Sequence, residues 1–252
     1  MLYDKYHLFI GRDALFNLLF KNSLLVKRKP PGFRTTHSAH HFEKHPNRIK
    51  SLNINKAEQV FVSDITYIRV AKKFMYLFLV TDIYSKRIMG YNLGDTLHRK
   101  HGLKALQKAI SNRQKNNQDI FHHSDCGAQY CSKDYTQLLR KNGFQISMTE
   151  EDHCYENSVA ERVNGILKGE LGLGEVMSKE DVARQRIAKA INIYNNKRLH
   201  LSCGLLTPNQ AHIQGKGLKK MWKKRVYKKK SLELLAVSSR PTGSLQQPVV
   251  LI

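Results

Sequence analysis

An α/β fold is predicted: a mixed five-stranded sheet with helices on both faces, preceded by a small helical region. Three observations predict it. Residues 60–69, 74–82, 87–93, 120–123 and 144–148 are short runs rich in β-branched and aromatic side chains, which pack well on a pleated surface. Between and after the later runs, apolar residues recur at helical spacing. The order is βββαβαβα, antiparallel strands first and crossover helices later, which is the pattern of a sheet covered by helices.

The elements follow in order. Gly11-Arg12-Asp13 opens a helical run with Leu15, Leu18 and Leu19 at i, i+3 and i+4, and Lys27-Arg28-Lys29-Pro30-Pro31-Gly32 stops it. Residues 33–50 add Arg34, Lys44, Arg48 and Lys50 among histidines and aromatics, a basic linker suited to phosphate contacts. His37, His40, His41 and His45 lack nearby cysteine partners, so a basic, DNA-facing loop is expected there rather than a zinc site. Three domains are expected: 1–55, helical region and linker; 56–213, the core; 214–252, a basic segment and tail.

Within the core, the first strand contains Asp64 on the face of Val60, Val62, Thr66 and Ile68. A carboxylate on an apolar strand face either meets water at the strand edge or is compensated by a cation, hydrogen bonds or a metal ion. The second strand, nearly all apolar, suits burial on both faces, and the third follows a short turn. Leu103, Leu106 and Ile110 mark a helix; Ser124 to Tyr130 read as a loop; Tyr135, Leu138 and Leu139 mark a helix ended by Asn142-Gly143. Residues 154–171 form a helix with an apolar face of Val159, Val163 and Ile166 and a polar face of Asn157, Glu161, Asn164 and Lys168. Ile187, Ala190, Ile191 and Tyr194 mark another, ending near Asn195-Asn196, and Thr207-Pro208 begins a last short turn. Residues 216–230 hold nine Lys or Arg with Leu218, Met221, Trp222 and Val226 at helical spacing, a basic amphipathic segment with Lys219, Lys220, Lys223, Lys224 and Arg225 facing phosphates.

The charge balance is uneven: 43 Lys plus Arg against 20 Asp plus Glu in 252 residues, formally +23. Such an excess points to nucleic acid as partner. No apolar run reaches the roughly 18 residues of a membrane span, and there is no apolar secretory leader. Cys126, Cys131, Cys154 and Cys203 make no C-x-x-C pair, so a reducing cytoplasm is the expected compartment.

Asp125 follows the fourth strand, where open sheets place ligands. If the first and fourth strands are neighbours, Asp64 and Asp125 meet there and the late helix can lay Glu161 across them. Carboxylates about 4 Å apart repel by roughly 4 kcal/mol at an effective dielectric near 20. Divalent cations relieve that, and hard oxygen ligands suit magnesium. Two such ions would serve phosphoryl transfer.

The stretches Val62-Ser63-Asp64-Ile65-Thr66-Tyr67-Ile68, His123-Ser124-Asp125-Cys126-Gly127-Ala128-Gln129-Tyr130 and Tyr155 to Lys168, with Tyr194 to His200 and Leu206-Thr207-Pro208, carry a family resemblance. In this order and spacing they resemble the integrase-core (DDE) transposases of bacterial insertion sequences, in the subfamily whose catalytic subunit comes from a second reading frame. Gly11-Arg12-Asp13 and Thr35-Thr36-His37-Ser38 resemble that subfamily's helical region. The resemblance implies an RNase H-like fold and a transposase that cleaves DNA at element ends and transfers the 3′-OH in line, without a covalent protein intermediate. It implies that Asp64, Asp125 and Glu161 bind two Mg2+ ions, with Mn2+ as substitute. It also implies that Lys168, Asn157 and Arg162 lie toward DNA or shape its cleft. The implied partners are double-stranded DNA, a second copy when DNA is bound, and the first-reading-frame helix-turn-helix subunit; the implied location is the bacterial nucleoid. Phe61, Cys126 and Leu199 stand where the family usually has Trp, Arg and Pro. The alternative reading is a non-catalytic DNA-end-binding regulator or a decayed copy.

Overall fold

The computed structural model describes residues 6–25, 41–114, 120–150, 157–219 and 221. Helix α1 spans Arg12–Lys21, and none of its residues is buried. Strands β1 (Val60–Val70), β2 (Lys73–Asp82) and β3 (Ile88–Gly94) form an antiparallel meander. Helix α2 (Arg99–Ser111) then crosses to β4 (Ile120–Ser124), and α3 (Ala128–Cys131) and α4 (Lys133–Lys141) cross to β5 (Phe144–Met148). Helices α5 (Ser158–Gly169), α6 (Glu180–Asn196) and α7 (Pro208–Gln214) follow. The sheet order is β3-β2-β1-β4-β5, with β4 parallel to β1 and β5 parallel to β4.

Alternation along each strand fills both faces of the sheet. Ile68, Leu77 and Leu79 pack with Val163, Ile166 and Leu167 of α5 and with Ile187, Ala190, Ile191 and Tyr194 of α6. On the other face Phe61, Phe78 and Val80 pack with Ala105, Leu106 and Ala109 of α2 and with Tyr135 and Leu139 of α4. Burying one large apolar side chain is worth about 1.5–3 kcal/mol, so these two layers supply most of the drive to fold. Gly90 of β3 lets α2 approach the sheet, since a Cβ there would lie 2.2 Å from the Ala105 carbonyl oxygen. Thr207 opens α7 with a reciprocal capping box to Gln210 and Pro208 in the first turn, as the Thr-Pro pair predicts.

Three expectations change. The stretch 124–130 is not all loop: Ala128–Cys131 form a helical turn begun at Gly127. The late helix is shorter than 154–171, running from Ser158 to Gly169, and residues 154–156 lie outside the described set. Of the basic segment 216–230, residues 216–219 are not helical. Lys216 bridges to Lys56, and the Leu218 N–H donates to the Tyr84 hydroxyl at 3.0 Å, so contact with the core overrides the helical spacing. Lys219 is exposed, whereas Lys220, Lys223, Lys224 and Arg225 fall outside the described residues, as do His37, His40 and Cys154. Cys126, Cys131 and Cys203 are buried and form no disulfide among the described residues. No helix of the described residues is long and apolar enough to cross a membrane.

Candidate active site

The parallel register of β1 and β4 brings the two aspartates to one end of the sheet. Val62 pairs with His123, and Asp64 and Asp125 each lie two residues beyond that pair. Beneath them, His122 Nε2 lies 2.7 Å from Ser63 Oγ and 3.0 Å from the Tyr135 hydroxyl. Burial drives the His122 pKa down to about 3 and raises that of Tyr135, so the cluster is neutral and ties β1, β4 and α4 together.

Two amides on α5 latch that helix across β1. Asn157 Nδ2 donates to the Ser63 carbonyl at 3.1 Å, and Asn164 Nδ2 donates to Asp64 Oδ2 at 2.6 Å. Glu161 lies between them, four residues after one and three before the other, and is exposed. Asp64 Oδ1 accepts from the Ile65 N–H at 2.8 Å, and Asp125 Oδ1 accepts from the Gly127 N–H at 3.1 Å. The Oδ1 atoms of Asn157 and Asn164 are both buried without a hydrogen-bond partner.

Electrostatics link the three acids. Burial raises the Asp64 pKa most; the Asp125 charge raises it further, as does Glu161, against hydrogen bonds from Ile65 and Asn164, and the carboxyl settles at about 7. Among the described residues, no three acid, imidazole or thiol side chains stand close enough to make a ready-made metal cage. The donor set is nonetheless carboxylate oxygen alone, which fits a hard cation such as Mg2+. The unpartnered Asn157 and Asn164 oxygens add two acceptors on the same helix.

The remaining predicted residues are spread along α5. Lys168 is half-exposed two turns beyond Glu161, roughly 10 Å along the axis. Arg162 is exposed and approaches Glu170 at 3.8 Å, while Glu170 is gripped at 2.7 and 2.9 Å by Arg198. Asn157 is buried, with its nitrogen committed to β1. Cys126 points inward and donates to the Thr149 carbonyl at 3.2 Å. Phe61, also buried, packs its ring 5.7 Å from that of Phe144. Sequence reasoning placed Asn164 on the polar face of α5 but missed its contact with Asp64. The signal was its spacing, three residues after Glu161 on a face that cannot all be solvated.

The sheet order and its helices define an RNase H-like core, with Asp64 of β1 and Asp125 after β4 each two residues beyond the Val62–His123 pair. Two family profiles, both described as integrase core domain, match residues 54–154 and 142–208. The chain is 32% identical over 201 residues to the insertion element IS600 uncharacterized 31 kDa protein of Shigella sonnei, covering 79% of this chain and 74% of that one. It is 33% identical over 153 residues to transposase InsF for insertion sequence IS3A of Escherichia coli K12, covering 60% of this chain and 53% of InsF. In fold it is similar to a simian T-cell lymphotropic virus intasome in complex with PP2A regulatory subunit B56 gamma, at 16% identity and a TM-score of 0.54, over 91% of this chain and 79% of that one. The chain belongs to the bacterial insertion-sequence transposases with an integrase core. It spans about half the length of InsF.

Proposed function

We propose that this chain cleaves DNA strands at the ends of an insertion element and joins the freed 3′-OH to a target strand, in a metal-dependent reaction. The observation that carries the reading is the β1–β4 register, which sets Asp64 and Asp125 each two residues beyond the Val62–His123 pair, with α5 and its Glu161 latched to β1 through Asn157. Such a cluster is unfavourable for its own sake and favourable around a cation. Asp64, Asp125 and Glu161 would hold two Mg2+ ions, or Mn2+ in their place. When bound, these supply an activated attacking oxygen and charge stabilisation for the leaving one.

The chain's own residues do the rest. The Ile65 N–H and Asn164 hold the two Asp64 oxygens, and the Gly127 N–H holds Asp125. The Asn157 latch fixes α5, and hence Glu161, over β1. Lys168 lies farther along the same helix, where its charge can meet a backbone phosphate. DNA is the partner that the +23 excess favours. Joining two ends to one target calls for at least two copies on DNA, and the first-reading-frame subunit would supply end recognition.

The test is incubation of purified protein with Mg2+ or Mn2+ and a plasmid bearing the element ends, beside Asp64→Asn and Glu161→Gln. The expected result is metal-dependent nicking and joining in the unaltered chain, and neither in the two variants, with DNA affinity retained. Nicking without joining would instead describe a nuclease. Binding without cleavage, even with the first-reading-frame subunit supplied, would describe a regulator of the element ends.

A further inference from the structure

A groove of about 570 Å³ lies along the β3 edge, between α2 and α6. Arg87, Lys104 and Lys108 line it together with Tyr91, Asn92 and Gln107, and among the described residues that line it there is no acid. Lys104 and Lys108 are exposed and one turn apart, roughly 6 Å along the axis of α2. Lys108 Nζ stands 5.0 Å above the Tyr91 ring, which steers it over the groove. Arg87 is half-buried, and its Nε is buried without a hydrogen-bond partner.

The helix that carries this face is built against its own stability. α2 has Arg99 and Lys100 in its first turn and no acid there, against the helix dipole. Lys100, Lys104 and Lys108 repeat at i, i+4 and i+8, a like-charge row that disfavours the helix by a few tenths of a kcal/mol per pair. Only Lys100 has a carboxylate beside it, the exposed Asp95. Arg87 faces the buried carboxylates of Glu58 and Asp82, so Lys104 and Lys108 are the groove cations that call for an anion on the other side.

At its first two residues the backbone edge of β3 is already occupied by side chains. Asn195 both donates to the Ile88 carbonyl and accepts from the Ile88 N–H, each at 3.0 Å, and Asn112 donates to the Met89 carbonyl at 2.8 Å. A second copy placed here about a two-fold axis would set Lys104 and Lys108 against the same cations.

We propose that this groove is a second DNA-backbone site, taking the phosphates of a duplex segment along Lys104 and Lys108 with Arg87 at its floor. It rests on the transposase reading only for the choice of DNA as the polyanion. Its lining shares no residue with the acids of β1, β4 and α5, so the groove would be a second place to hold DNA.

The test is the salt dependence of duplex affinity, measured by fluorescence anisotropy on the full chain carrying Asp64→Asn, so that cleavage plays no part. Each neutralised phosphate contributes about 0.9 to the slope of log K against log salt. In the added double variant Lys104→Gln/Lys108→Gln the slope is expected to fall by about 1.8, while Lys104→Arg/Lys108→Arg keeps it. Lys72→Gln/Lys73→Gln, an equal charge loss at the β1–β2 turn, is expected to leave it unchanged. An unaltered slope in the glutamine variant, or an equal fall in the Lys72/Lys73 control, overturns the proposal. So does a changed sedimentation coefficient without a changed slope, which would make the groove a contact between copies. Absence of cleavage by the chain with Asp64 intact, beside this slope difference, would count against the catalytic reading and leave the groove proposal standing.

Discussion

At the scale of single residues, the contact that matters most is the one between Asn164 and Asp64. A hydrogen bond of 2.6 Å from an amide to a carboxylate is charge-assisted and worth about 1.5–3 kcal/mol. It fixes one oxygen of Asp64 and favours its ionised form against burial and the charges of Asp125 and Glu161. Asn164→Leu keeps the volume and removes the donor. The single-turnover cleavage rate at saturating Mg2+ is expected to drop about ten- to a hundredfold, the range for groups that orient metal ligands. The Mg2+ concentration for half-maximal rate should rise with it. A lowered melting temperature with an unchanged Mg2+ dependence would reduce Asn164 to a packing residue. Cys126 illustrates the opposite case: its thiol turns into the core and donates to the Thr149 carbonyl.

At the scale of elements, the tightest junction is that of β3 and α2. A Cβ on Gly90 would sit 2.2 Å from the Ala105 carbonyl oxygen and 2.6 Å from the Ala109 nitrogen, both backbone atoms of α2. The helix must shift to admit it, and overpacking of this kind costs about 1–3 kcal/mol. Gly90→Ala is therefore expected to lower the urea midpoint without changing its slope, and an unchanged midpoint would show that α2 can slide. The five strands and helices α2, α4, α5 and α6 were legible in the sequence because burial on one or two faces leaves a period in the apolar residues, whereas the four-residue α3 was read as loop and α7 only as a turn. Ile187, Ala190, Ile191 and Tyr194 are all buried, as their spacing required. What was not legible depended on contacts remote in sequence. Asn157 and Asn164 looked like a solvated face until β1 lay against them, and Leu218 looked helical until Tyr84 took its N–H. The three acids were read together on the condition that the first and fourth strands are neighbours, and the β1–β4 pairing meets that condition.

At the scale of the whole molecule, buried ionisable groups set how stability responds to pH. Glu58, Asp82 and His212 are all buried and join the segment before β1, the end of β2 and α7. His212 Nε2 lies 3.1 Å from Glu58 and Nδ1 lies 3.4 Å from Asp82. Burial lowers the His212 pKa and Arg87 lowers it too, but the hydrogen bonds to Asp82 and Glu58 win, and it stands above 6.5. A raised histidine stabilises the fold fully below its unfolded pKa and loses that contribution as pH climbs through the folded value. His122 and His200 act in reverse. Burial holds them at about 3 and about 4, so their contribution is present above 6.5 and fades as pH falls toward those values. Asp64, raised to about 7, favours the fold less as pH rises from 3.8 to 7, but the two histidines outweigh it in that interval. Together these groups place the maximum near pH 6.5 in metal-free buffer. Urea midpoints measured in EDTA from acid to alkaline pH should peak there and decline on both sides. His212→Gln should flatten the alkaline decline while leaving the acid one in place. An alkaline limb that survives in this variant would mean that the Glu58–His212–Asp82 cluster does not govern it.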